Sequence, residues 1–222
     1  MSPRILMVPL SLAAAAAQAG GHFDVDDAGT LDPGQCQYEL WGTRVRRAQT
    51  TLWHFGPACR VGPVEIGLNI DRISVAGDHL HALGPQLKWT FLGQASDARW
   101  SAAVSMGTIT ELPRRGGRTG GQFVVPVTWR ATDSLQVHAN LGGDWAAGTG
   151  ARSGRGGLAG EWAVNDTVSL IAERNRAFGL WTSRIGARFS LTPLISIDVS
   201  AARTGPEGVR SVSIGLNHEF SR

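Results

Sequence analysis

The residues able to do chemistry are few and scattered. Cys36 and Cys59 are equidistant from the Arg47–Ala48 bond. A two-residue turn there pairs Arg46 with Gln49 and, counting back, sets Cys36 opposite Cys59, close enough for a disulfide where the geometry suits. The same register places Tyr38 and Leu40 on one face with Phe55 and Pro57, so bridge and polarity agree; two unpaired thiols are the alternative. Such a bridge is structural. Asp24, Asp26 and Asp27 offer oxygen ligands for calcium, but the glycine and terminal glutamate of a calcium loop are missing. His79 and His81 share a face beside Asp78 with no third ligand placed nearby. Neither a metal nor a cofactor is expected. A lipid-cleaving serine–histidine site would draw on Ser74, Thr50, His54 and His79, but no Gly-x-Ser-x-Gly turn is present, and no enzyme is expected. Gly116-Gly117 and Gly120-Gly121 precede no helix, so they do not form a phosphate loop.

The other charges fall on a pattern. From Gln35 to Phe220 the chain reads as twelve short segments in which apolar and polar residues alternate. Val64, Ile66, Leu68 and Ile70 alternate with Glu65, Gly67, Asn69 and Asp71; Ile195, Ile197 and Val199 alternate with Ser196, Asp198 and Ser200. That period of two belongs to β-strands with one greasy and one wet face. Many segments have the roughly 9–11 residues a tilted strand needs to cross a bilayer. The wet parity carries Glu39, Glu65, Asp71, Asp144, Glu161, Glu173, Asp198 and Glu219 against Arg60, Lys88, Arg130, Arg184 and Arg188. In a closed ring these line the interior, as a charged path or as a plug of salt bridges. The excess of acids favours cations or neutral solutes.

Seven tryptophans, Trp53, Trp89, Trp100, Trp129, Trp145, Trp162 and Trp181, fall on the apolar parity, and Trp41 does not. Most lie near segment ends, as in the aromatic belts of a membrane barrel. Arg174, Arg210 and His218 also fall on that parity and must reach the rims or mark bulges. The connections read as alternately tight (Gly62-Pro63, Asn165-Asp166, Thr192-Pro193) and long (112–121, 148–157), the asymmetry of periplasmic turns and outer loops. Arg46, Arg47, Arg114, Arg115, Arg118, Arg152 and Arg155 are assigned to the outer loops, where guanidinium suits lipid phosphate.

Residues 1–19 form a signal peptide: Arg4, an apolar run from Ile5 to Ala16, and Ala17-Gln18-Ala19 before the cut. An exported chain excludes nucleic acid as partner despite a pI near 9.5. Residues 20–33 are a polar lead, periplasmic or plug-like, and 34–222 the barrel. An even strand count returns both ends to the periplasm. Phe220, two residues from the end, resembles the terminal aromatic read by the barrel-assembly machinery.

Asp26-Asp27-Ala28-Gly29-Thr30-Leu31-Asp32-Pro33-Gly34-Gln35-Cys36-Gln37-Tyr38-Glu39 resembles the start of a Gram-negative outer-membrane "transporter" family labelled after the meta-pathway of phenol degradation. The stretch Val125 to Leu135 is similar to its strand–turn–strand middle. The resemblance implies an outer-membrane barrel taking up small, aromatic compounds and carries no residue roles; the cysteine pair is no part of it. The expected fold is an antiparallel transmembrane β-barrel of about twelve strands, with a soluble β-sandwich as the competing fold. The expected function is passive passage of small solutes. The alternatives are a closed barrel gripping lipopolysaccharide and outer-membrane lipid through its arginine loops, and a lipid hydrolase.

Overall fold

The computed structural model describes residues 22–46, 50–95, 97–112 and 119–221. Its strands are β1 (Gln35–Val45), β2 (Thr50–Val61), β3 (Val64–Val75), β4 (Asp78–Leu92), β5 (Trp100–Leu112) and β6 (Gly120–Arg130). They continue as β7 (Leu135–Trp145), β8 (Arg152–Ala163), β9 (Val168–Ala177), β10 (Leu180–Thr192), β11 (Ile195–Thr204) and β12 (Val209–Ser221). Each pairs antiparallel with its sequence neighbours, and β1 pairs with both β2 and β12, closing a twelve-stranded barrel. Closure leaves no unpaired sheet edge, the condition for strands to cross a bilayer. Even strand number puts β1's start and β12's end on one side, the terminal end; the opposite side is the far end.

The parity read from the sequence is the parity observed. Leu141, Ile185, Leu158 and Ile214 are 73%, 68%, 61% and 57% exposed on the outside, while His138, Asp198, Glu161 and Asn140 are buried within. At roughly 1.5–3 kcal/mol per large apolar side chain, a whole outer wall of this kind is stable only against hydrocarbon. Of the seven tryptophans on the outward face, Trp89, Trp100, Trp129 and Trp162 lie toward the terminal end and Trp53, Trp145 and Trp181 toward the far end. Trp100 stacks on Trp129 at 5.6 Å. Trp41 points inward and stacks on His54 at 4.6 Å.

The turn alternation holds only in part. At the far end 113–119 and 146–151 are long, but β3–β4 and β9–β10 close through two residues each. Ala76-Gly77 (φ 49° and 98°) and Phe178-Gly179 (48° and 81°) take the left-handed conformations that match a type I′ turn to strand twist. At the terminal end β4–β5 spans 93–99, as long as the far-end loops. The disulfide Cys36–Cys59 is formed, in the register that the spacing predicts. The signal segment and Arg47, Arg114, Arg115 and Arg118 lie outside the described residues.

Candidate functional site

The interior is not empty. Residues 22–33, the described part of the polar lead, run inside the barrel: Val25, Ala28 and Leu31 are fully buried. A chain in a polar lumen needs partners for its backbone, and the wet parity supplies them. The Asp24 and Val25 N–H groups donate to the Glu173 carboxylate (3.1 and 2.9 Å). Ala28 N–H donates to Thr128 Oγ1 (2.9 Å) and Leu31 N–H to Glu65 Oε2 (3.0 Å). Thr90 donates to the Ala28 carbonyl (2.7 Å) and Arg60 to that of Leu31 (2.7 Å). Asn140 is placed to bond both backbone groups of Asp26 (2.8 and 2.6 Å).

The lead's aspartates are held by the wall's cations. Lys88 Nζ lies 2.9 Å from Asp26 Oδ1 and 3.5 Å from Asp27 Oδ1. Arg184 reaches Asp24 (2.8 Å) and Glu173 (3.2 Å). These contacts account for Asp24, Asp26 and Asp27, and among the described residues no group of three His, Cys, Asp or Glu is disposed to hold a metal. His22, at the lead's inner end, is buried with neither ring nitrogen hydrogen-bonded. Burial, then the nearby Arg184 guanidinium, pushes it down to about 4.

Further charges pair within the wall. Arg188 bonds Asp198 (2.8 Å) and lies 3.7 Å from Glu161. His54 bonds Asp71 (2.7 Å). Arg155, expected in an outer loop, points inward to Asp144 (2.9 Å). The reason is that β8 begins at Arg152 and not at Gly157, because β7 stays paired with it out to Trp145. Glu39, Arg130 and Glu219 also hold inward positions, on the parity shared with Gln37, Thr128 and Asn217. Arg46 and Arg152 remain at the far end, exposed.

The side of the lumen along β8–β11 is thus closed by ion pairs and the lead. Between the lead and the β1–β7 wall a cavity of about 340 Å³ remains, lined by Asp24, Asp26, Asp27, Glu39, Glu65 and Asp71 against Lys88 and Arg155. Trp41 and His54 form part of its side. Sequence reasoning missed Arg155 and the lead's pairing; three closely spaced aspartates facing a wall with buried bases were the available signal.

No curated protein matches the sequence. Solved structures share the architecture at low identity. The chain is similar to the KdgM porin in complex with disordered oligogalacturonate (TM-score 0.63, 8% identity, 84% of this chain and 99% of that one). It is also similar to the NanC porin (0.59, 12%, 82% and 98%) and to outer membrane phospholipase A from Escherichia coli (0.55, 10%, 82% and 92%). The fold is therefore that of bacterial outer-membrane barrels. The family whose model matches is not the phenol meta-pathway family that two segments resemble. The match runs over residues 7–204, and the chain belongs to the family described as "Uncharacterised conserved protein UCP029691".

Proposed function

We propose that the chain is a channel of the bacterial outer membrane that passes small cationic or neutral solutes and is closed at rest by its own residues 22–33. The terminal end faces the periplasm, from which the barrel-assembly machinery inserts it. One observation carries the closure: the lead is held in the lumen largely through hydrogen bonds and ion pairs that water can replace. A segment seated this way can leave without breaking the barrel.

Solute class follows from the cavity. Asp24, Asp26 and Asp27 leave with the lead, but Glu39, Glu65 and Asp71 on the wall still outnumber Lys88 and Arg155 and disfavour anions, so a polyanion such as the oligogalacturonate bound by the KdgM porin is a poor fit. The stacked Trp41–His54 pair offers a flat face to an aromatic ring or an organic cation. Single-channel recording tests the reading: deletion of residues 22–33 raises open probability in planar bilayers, with cation selectivity. Absence of current from the folded deletion variant removes the channel reading.

A second reading rests on one hydrogen bond. Ser74 Oγ lies 2.9 Å from His79 Nδ1 on the outward face of the β3–β4 hairpin, at the far rim. A serine activated by histidine at a lipid surface is the pair a lipid hydrolase uses. Phospholipid turnover by the purified barrel, abolished by Ser74→Ala, supports it; no turnover by the parent protein ends it.

A further inference from the structure

The outward wall carries its arginines along its far rim, while His218, outward near the terminal end, is half-buried and hydrogen-bonded to Tyr38. Arg44, Arg72, Arg174, Arg203 and Arg210 share the lipid-facing parity of β1, β3, β9, β11 and β12, and Arg46 continues that parity past β1. At the terminal end no described outward strand position carries lysine or arginine. A random scatter of surface charge would not divide in this way between two ends of one wall. A guanidinium facing hydrocarbon is costly at mid-depth and cheap at the rim, where its stem lies along the wall and its head reaches the polar layer.

Three of these arginines surround a built space. Arg46, Arg203 and Arg210 border an outward groove of about 650 Å³ over β9–β12, whose floor includes the small residues Ala172, Ser183 and Ala201. Among the described residues no carboxylate pairs with any of the three. Nearby, Arg174 lies over the Trp181 ring at 4.9 Å and donates to Ser183. Planar donors without an anion, on a lipid-facing wall, match the paired acceptor oxygens of phosphate.

We propose that this groove binds the phosphorylated sugar headgroup of an outer-leaflet glycolipid, the lipid A part of lipopolysaccharide. The small floor admits the sugar ring close to the sheet, and Arg46, Arg203 and Arg210 take its phosphate. The inference rests on the outer-membrane reading only in setting the far rim in the outer leaflet. It places the contact on the barrel wall through Arg203 and Arg210, with Arg46 reaching it from the β1–β2 connection.

The test is binding of diphosphorylated lipid A in detergent micelles to refolded, lipid-free protein, read by native mass spectrometry. The triple variant R46Q/R203Q/R210Q binds at least about tenfold more weakly, while R152Q, outward on β8 and outside the lining of the groove, binds like the parent. Should the triple variant fail to reach the heat-resistant barrel form, R203K/R210K keeps the charge but loses the two-pronged fit and binds at intermediate strength. Unchanged binding by the triple variant or by R203K/R210K, no binding by the parent, or equal binding of phosphatidylglycerol overturns the proposal. Conductance is not read in this assay, so a failed channel reading and a failed glycolipid site are told apart.

Discussion

Lys88→Met removes the cation at the centre of the lead's seat. Lys88 is buried and holds Asp26 at 2.9 Å and Asp27 at 3.5 Å. Methionine fills a similar volume without charge, so the barrel wall keeps its shape while two carboxylates lose their counter-ion. Breaking one partner out of a buried pair costs about 3–5 kcal/mol. Here the cost falls on the docked lead, because an undocked lead returns Asp26 and Asp27 to water. The ratio of closed to open channel should therefore fall at least about a hundredfold. Planar-bilayer recording at neutral pH reads that ratio as open probability. The triple change K88M/D26N/D27N removes both halves of the interaction and should recover much of the closure, which isolates the pair from side effects of the methionine. A folded K88M channel that opens no more often than the parent refutes the reasoning, as does a triple variant that opens like K88M.

The remaining predictions concern other parts of the fold. Acid should loosen the lead through His22: its docked value lies near 4 against 6.5 when free, so the contribution is complete above 6.5 and is lost as pH falls toward 4, by up to ~3 kcal/mol. His22→Phe should remove that part of the pH dependence of open probability between pH 7 and 4. Cys36→Ser with Cys59→Ser should cost about 3 kcal/mol, the loop-closure value for a separation of 23 residues, in urea unfolding from detergent, with the barrel still formed. Gly84→Ala should lower yield of the heat-resistant form sharply, because a Cβ there would lie 1.5 Å from the Thr108 carbonyl oxygen, a backbone atom no side-chain adjustment can move.

Much of the wall was legible because a period of two is a local signal. Residues such as Ile66 and Glu65 declare their faces by type alone, and hydrocarbon outside against water inside enforces that choice at every strand. The Cys36–Cys59 register was legible for a related reason: a hairpin fixes partners by counting from its turn. Arg155 was not legible. It sits in a glycine-rich run that reads as loop, and it joins β8 because β7's backbone groups require a partner out to Trp145. Strand ends are set by the neighbour's hydrogen bonds, which a single segment's pattern does not carry. The lead was read as periplasmic or plug-like, but its partners escaped for the opposite reason. Its aspartates look like solvated linker residues until the barrel closes, and only then do Lys88 and Arg184 face them. The connections misled at both ends, since two-residue I′ turns at Ala76-Gly77 and Phe178-Gly179 need only left-handed backbone and leave little trace in composition.

The lead joins β1 through a short turn in which Gln35 N–H donates to the Asp32 carbonyl (3.0 Å), with Gly34 at φ 82°. The occupant of the lumen is thus tethered a few residues from its own seat. A tethered blocker acts at an effective concentration of about millimolar whatever the protein's abundance. Closure is then a property of each molecule and does not dilute away, and a separate peptide of the same residues would need to be supplied at comparable strength to silence a truncated channel. For the same reason, the proposed opening should be brief, since the displaced segment stays within reach of the mouth it left.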